Sequence, residues 1–246
     1  MNRLLAILIV VGLGGCATSD DWASGLGQVL GGMQQPAGQQ QAPLGEGEIL
    51  LGLREALAQG TTRAINQLGR SDGFWQDLRV RIPLPESVAK MEKTLRQFGQ
   101  GAAVDEFHLT LNRAAEQAVP HVADIFGNAV RKMTFQDARA ILGGQQDAAT
   151  QFFRRTTGEA IYAKVLPVVQ GATQRVGVTQ RYKQMVASYA PFLQMAGVKS
   201  TDLDAYVAGQ ALDGLFLMIA DEEARIRRDP IARTTEILRR VFGSRY

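Results

Sequence analysis

Apolar residues recur at helical spacing along most of this 246-residue chain, from Glu46 onward. One example is the run Val88, Met91, Leu95 and Phe98, whose members are three or four positions apart. Such spacing places apolar side chains on one face of an α-helix. No segment shows the sustained alternation of apolar and polar residues that is typical of a half-buried strand. The sequence therefore predicts an all-α fold, a bundle of about seven to ten helices.

The segment LDGLFLMIA, residues 212–220, is apolar on nearly every side except at Asp213. A helix that is apolar all round is buried, so this segment is the predicted central helix of the bundle. The chain has one cysteine, Cys16, and therefore no internal disulfide. Its stability must come from an apolar core, and roughly two hundred residues are enough to build one.

The first sixteen residues, MNRLLAILIVVGLGGC, have the composition of a bacterial lipoprotein signal peptide. Arg3 supplies a positive first region, residues 4–13 are apolar, and residues 13–16 resemble the lipobox that precedes a lipidated cysteine. The alternative is a transmembrane anchor. About ten apolar residues span only about 15 Å as a helix, half of a hydrocarbon core of about 30 Å. Cleavage before Cys16 and lipidation of Cys16 are the prediction.

Ala17 and Thr18 follow the cysteine. An Asp directly after the lipidated cysteine favours retention in the inner membrane of Gram-negative bacteria. Ala17 occupies that position here, as is usual for lipoproteins that are sorted to the outer membrane. We expect a protein at the periplasmic face of the outer membrane, with the membrane as its partner through the lipid on Cys16. Two or three acyl chains make such an attachment long-lived.

Residues 16–45 are rich in Gly, Gln, Pro and Ser and show no sustained apolar period. This composition is typical of a flexible tether. The predicted organisation is a signal peptide over residues 1–15, a lipidated tether over 16–45 and an all-α domain over 46–246.

The charges of the chain are nearly balanced, with 27 Lys and Arg against 24 Asp and Glu. This surplus of positive charge is too small to indicate nucleic-acid binding, so we do not expect a nucleic acid as partner. Pairs such as Glu223 with Arg227, four positions apart in the favourable order, are typical of a solvated helical surface.

Residue patterns for catalysis or metal binding are weak. Asp105 and His108 have the spacing of half a di-iron motif, but the second half is missing. Cys16 is consumed by lipid, and no serine-nucleophile elbow or phosphate-binding loop occurs. We predict no catalytic residue, no metal and no cofactor. A hydrolase that works with carboxylates alone remains an alternative.

The segment RSDGFWQDLRVRIPLPE, residues 70–86, departs most from the helical spacing of apolar residues and is predicted to be a long non-helical connection. Long ordered loops in compact domains are usually functional or packed as lids. The candidate binding surface consists of Phe74, Trp75, Arg79 and Arg81. In the alternative, the apolar side chains of the loop plug the end of the bundle.

Polar residues interrupt several apolar stripes of the sequence. Because arginines near a core need carboxylate partners, we predict a buried ion-pair framework, with an anion-binding pocket as the alternative. Its candidate members are Arg113, Glu116, Asp137, Arg154, Asp213 and Arg233. Thr134 and Asp137 also have capping-box spacing, which predicts a short helix that Gly143 and Gly144 end.

Several blocks of the chain resemble an uncharacterised Gram-negative envelope lipoprotein family, known only as a domain of unknown function. The blocks are GFWQDLRVRIPLPES, LNRAAEQAVP, MTFQDARAILGG, AATQFFRRTT, ALDGLF and EEARIRRDPIARTTEILRRVFG. They are similar to that family in order and spacing from about Ile49 to Gly243. The resemblance implies a helical domain behind a secretory or lipoprotein signal, and no activity, substrate or catalytic residue.

The expected function is a non-catalytic binding or scaffolding role in the cell envelope, with an envelope protein or the cell wall as partner. A carrier or sensor of a hydrophobic ligand is the first alternative, and the carboxylate-dependent hydrolase is the second. A dry apolar cavity of several hundred Å³ would favour the carrier. Two acids about 5–10 Å apart in a cleft would favour the hydrolase.

Overall fold

The computed structural model of the protein describes residues 45–177, 179–183, 202–229 and 235–243. The predicted signal peptide, Cys16, nearly all of the predicted tether and Arg233 lie outside these residues. Within them the fold is all-α, as predicted, with eight helices and no strand. The helices are α1 (Glu46–Gly69), α2 (Glu86–Gln97), α3 (Gly101–Ala118), α4 (Ala123–Lys132), α5 (Phe135–Leu142), α6 (Ala148–Gln174), α7 (Leu203–Arg228) and α8 (Glu236–Gly243), with a 3₁₀ turn (Val119–Val122) between α3 and α4.

Helix α7 is the central helix and packs against α6, α1 and α3. Phe216 of α7 and Phe153 of α6 both pack edge-on against Phe126 of α4, with ring centroids 6.3 and 5.2 Å away. By length and mean hydropathy, 1.3 over its most apolar window, α7 would suffice to cross a membrane, but 56% of that window is buried inside the fold. The apolar surface of α7 is thus largely used for the core.

The N-terminus of α5 has the predicted capping box. The N–H of Asp137 donates to Thr134 Oγ1 at 3.1 Å, and the N–H of Thr134 donates to Asp137 Oδ2 at 2.9 Å. The N–H and the hydroxyl of Thr134 both donate to Asp137 Oδ2, and these two bonds lower the pKa of the Asp137 carboxyl. The helix ends at Leu142, directly before Gly143, so the two glycines stop it as predicted.

The N-terminus of α6 is capped by a side chain from another helix. Glu223 of α7 is buried and accepts hydrogen bonds from the N–H groups of Ala149 and Thr150 at 3.0 and 2.9 Å. Arg227, one turn later on α7, donates to the same carboxylate at 2.9 Å and to the carbonyl of Ile141 at 2.7 Å. Glu223 and Arg227 therefore join α7 to α5 and α6, rather than forming a solvated surface pair.

Phe98 departs from the predicted apolar stripe. Helix α2 ends at Gln97, and Phe98 is 78% exposed. The N–H of Gln100 donates to the carbonyl of Leu95 at 2.8 Å, and Gly99 has a φ of 75°. This left-handed glycine cap reverses the chain, so Phe98 cannot complete another helical turn on the core face.

Replacing Glu223 with Ala should lower the free energy of unfolding by about 3–5 kcal/mol, because Arg227 then loses its carboxylate and two buried N–H groups lose their acceptor. The matched control is Asp213→Ala on the same helix, which removes an exposed ion pair and should cost less than about 1 kcal/mol. Urea unfolding of the full chain measures both changes. Equal losses would contradict the capping role of Glu223.

Candidate functional site

The loop between α1 and α2, residues 70–85, packs several of its apolar side chains into the bundle. Phe74, Val80 and Ile82 are buried. A Cβ on Gly214 of α7 would lie 2.8 Å from Phe74 Cε1, so the ring fills space that only glycine leaves open. Phe74 is therefore a core side chain, in contrast to its predicted place on a binding surface.

Glu116 of α3 holds the backbone of this loop. Its buried carboxylate accepts hydrogen bonds through Oε1 from the N–H groups of Phe74 and Trp75, each at 3.1 Å. Arg113, one turn earlier on α3, donates to Glu116 Oε2 at 2.7 Å and to Asp72 at 2.6 Å. The Glu116 carboxylate raises the pKa of the Arg113 guanidinium. Arg113 and Glu116, two candidate members of the framework, thus hold the first residues of the loop in place.

Asn112 of α3 holds the other end of the loop. Its Oδ1 accepts the N–H of Ile82 at 2.8 Å, and its Nδ2 donates to the carbonyl of Ile82 at 3.1 Å. His108 Nε2 lies 2.9 Å from the same carbonyl, so the ring nitrogen is the donor of that bond. The Trp75 ring packs edge-on against His108, with ring centroids 5.0 Å apart. One face of α3 therefore binds the loop at both ends.

The tip of the loop carries Leu78 and Arg79 to the surface. Leu78 is 77% exposed. Arg79 pairs with Asp77 at 2.7 Å and with Asp221 of α7, and its guanidinium lowers the pKa of the Asp77 carboxyl. The tip is therefore tied to α7 by charge, while its leucine faces solvent.

Arg81 and Trp75 form a stacked pair beside the tip. The guanidinium carbon of Arg81 lies 4.6 Å from the centroid of the half-buried Trp75 ring, and Arg81 donates to the carbonyl of Trp75. An open depression of about 680 Å³, here called the loop depression, lies along the loop and is lined in part by Arg70, Gln76 and Leu78. Of the four predicted surface residues, Arg79 is exposed, Trp75 and Arg81 are half-buried, and Phe74 is buried.

A model of the family described as "Protein of unknown function (DUF4197)" matches residues 43–243. The chain belongs to this family. No curated protein and no solved structure matches the chain. Three of the family-like sequence blocks meet at the loop, since they contribute Phe74, Glu116 and Gly214.

Two candidate members of the predicted buried ion-pair framework are exposed. Arg154 and Asp213 do pair, at 3.0 Å, but their side chains are 46% and 64% exposed. Their neighbours Phe153 and Leu215 face the core, which turns both charges toward solvent. Asp137 caps its own helix.

The buried carboxylates that sequence reasoning missed are Glu223 and Asp204. Asp204, in the first turn of α7, accepts bonds from Thr173 Oγ1 and Lys183 Nζ, each at 2.7 Å. The four-residue spacing of Glu223 and Arg227 indicates that they pair within α7. No sequence pattern indicates that Glu223 or Asp204 also contacts a segment outside α7.

Asp105 and His108, which have the spacing of half a di-iron motif, contact different partners. Asp105 pairs instead with Arg96 at 2.6 Å, which lowers the pKa of the Asp105 carboxyl. The part of the chain that the structure describes contains no group of three or more His, Cys, Asp and Glu side chains suited to a metal ion.

Gly73 tests whether the loop is locked against α1. A Cβ there would lie 2.5 Å from the carbonyl oxygen of Leu68. Gly73→Ala should therefore lower the free energy of unfolding by about 1–3 kcal/mol. The same substitution at Gly158, inside α6 with open space around it, should raise stability by about 0.5–1 kcal/mol. Thermal unfolding of both variants measures the two changes, and a Gly73→Ala protein as stable as the wild type, or more stable, would contradict the close packing of Gly73.

Proposed function

We propose that this member of the family is an outer-membrane lipoprotein that binds another envelope protein, without catalysis, through the loop depression. The observation that carries the proposal is the presentation of Leu78 on a loop whose backbone is held by Glu116 and Asn112. The helical domain is the binding module, and the lipid on Cys16 keeps it at the periplasmic face of the membrane.

The fixed loop favours association because its conformation does not have to be ordered on binding. Immobilising a side chain or loop costs binding free energy, and a preorganised surface avoids that cost. Leu78 is held by its neighbours in the tip, where the N–H groups of Val80 and Arg81 donate to the carbonyl of Asp77 at 3.1 and 2.8 Å. The exposed leucine is thus available as an apolar anchor.

The shape of the depression favours a protein over a small molecule. Small-ligand pockets bury most of the ligand and are lined mainly by apolar groups. The loop depression is open, and Leu78 stands on it among polar and charged side chains such as Arg70 and Gln76. An apolar contact surrounded by polar residues is the usual composition of a protein interface.

The two alternatives have less support among the described residues. The apolar cavity lined by Leu53, Leu57 and Phe242 measures about 10 Å³, room for about one water molecule and far below the size of a lipid-like ligand. The acids that line the described depressions accept hydrogen bonds from nearby protein groups, as Asp72 does from Gln76 and Arg113. Such bonds suit a structural role better than acid–base chemistry.

The anchor follows from the lipobox and the tether. The family match begins at residue 43, so the predicted signal peptide and Cys16 precede the matched domain. In this arrangement the tether spans about 30 Å on average, at about 5–6 Å times the square root of its length, which lifts the domain off the bilayer.

Cys16→Ser should abolish lipidation, because the hydroxyl of serine cannot form the thioether to the diacylglycerol. The expected product is an uncleaved or released form, detected by fractionation of the envelope and by electrophoretic mobility. Ser19→Ala in the tether is the control and should leave both readouts unchanged. A Cys16→Ser protein that is processed and retained like the wild type would refute the anchor.

Leu78→Ser should weaken the partner complex about tenfold or more, since burying a leucine is worth about 1.5–3 kcal/mol. The readout is the yield of a discrete adduct from a photo-crosslinking residue at Gln76, in the full chain in its own cell. Leu51→Ser, at another exposed leucine on α1, is the matched control and should leave the adduct unchanged. An absent adduct, or one that Leu78→Ser leaves intact, would contradict the proposed binding surface.

A further inference from the structure

A second concave site lies between α5 and the first turns of α6, and is here called the α5–α6 groove. Its volume is about 300 Å³. Ile141, Ala148 and Phe152 provide apolar surface, and Asp137, Asp147 and Arg155 provide charge. A pocket of this size lies at the lower end of the range for small-molecule sites, and it combines an apolar lining with a few polar groups.

Three charged side chains of the groove have unused hydrogen-bonding capacity within the described residues. Arg155 contacts the Phe152 ring, 5.9 Å from its centroid, and makes no hydrogen bond to the described part of the chain. Asp147 accepts the side-chain amide of Gln151 at Oδ2, 3.0 Å away, and its Oδ1 is uncommitted there. Asp137 uses Oδ2 for Thr134, which leaves Oδ1. The groove thus offers one cation and two carboxylate oxygens.

The charge of the groove argues against a simple anion as ligand. The N–H groups of Ala149 and Thr150, at the start of α6, already donate to Glu223. Among the described residues that line the groove, Arg155 is then the one cation, and two carboxylates line the same groove. A ligand with negative charge alone would be repelled by both acids, whereas a ligand with both signs satisfies all three groups.

We propose that the α5–α6 groove binds an amino-acid or short-peptide zwitterion. The ligand carboxylate pairs with the Arg155 guanidinium, a fork geometry that suits carboxylates. The ligand ammonium donates to Asp147 and Asp137, and an apolar side chain packs on Phe152 and Ile141. The site is independent of the loop depression and of the partner proposed for it.

The capping bonds of Asp137 support this assignment. They hold the pKa of its carboxyl below the ordinary value, so the group is a carboxylate at neutral pH. A fixed negative charge is what an ammonium group requires. The nearby Arg155 also contributes to that lowered pKa.

The test is calorimetric titration of the full-length lipoprotein in detergent with alanyl-leucine. We expect saturable binding with a Kd of about 1 mM or tighter. Alanyl-leucinamide lacks the carboxylate and N-acetyl-alanyl-leucine lacks the ammonium, so each should bind at least about tenfold more weakly. Absence of saturable binding, or equal binding of all three probes, would overturn the proposal without any variant.

Variants of the groove show which residue binds the carboxylate of the ligand and which binds its ammonium group. Arg155→Gln should weaken alanyl-leucine about tenfold or more while leaving alanyl-leucinamide unchanged. Asp147→Asn should weaken alanyl-leucine but not the N-acetylated probe. Arg139→Gln, an exposed arginine of α5 outside the groove, is the control and should change nothing. Unchanged affinity in Arg155→Gln, with circular dichroism confirming its fold, would overturn the site, while the Leu78 crosslinking result would stand unaffected.

Discussion

The fold depends on buried carboxylates that accept backbone N–H groups from distant segments. Glu116 binds the loop more than forty positions earlier in the chain, and Glu223 binds the start of α6 more than seventy positions earlier. Each carboxylate has an arginine on its own helix, Arg113 or Arg227, that compensates its charge. A buried carboxylate is costly unless it is paired and hydrogen-bonded, and both conditions are met here.

The contact of Glu116 explains how a chain without an internal disulfide places a long loop on a helical bundle. The apolar loop side chains fill space beside α7, but an irregular backbone also needs partners for its polar groups. Glu116 and Asn112 supply them from one face of α3. The loop is therefore part of the framework, and its exposed tip is positioned by that framework.

Sequence reasoning identified the fold class, because a helical period is a local property that persists over many residues. It also found the α5 capping box, whose spacing lies within one helical turn. It failed where the deciding contact is distant in the chain. The Glu223 and Arg227 pair has the spacing of a surface pair, and only the position of α6 shows that its carboxylate is a cap.

The errors in predicted burial have the same cause. Arg154 and Asp213 follow apolar neighbours, which suggested burial, but the packing of α6 and α7 against the core leaves both side chains on the solvent side. Phe74 and Trp75 are adjacent in a loop without periodicity, so no pattern distinguishes the buried ring from the half-buried one. Phe74 is the buried ring because it occupies the space beside Gly214.

The central claim is that Glu116 locks the loop, and amide hydrogen exchange at Phe74 and Trp75 tests it most directly. A locked loop predicts that both N–H groups exchange slowly, with opening free energies close to those of core amides in α7. In Glu116→Ala the two loop amides should lose this protection while the centre of α7 keeps its own. Fast exchange of both amides in the wild-type protein would contradict the account.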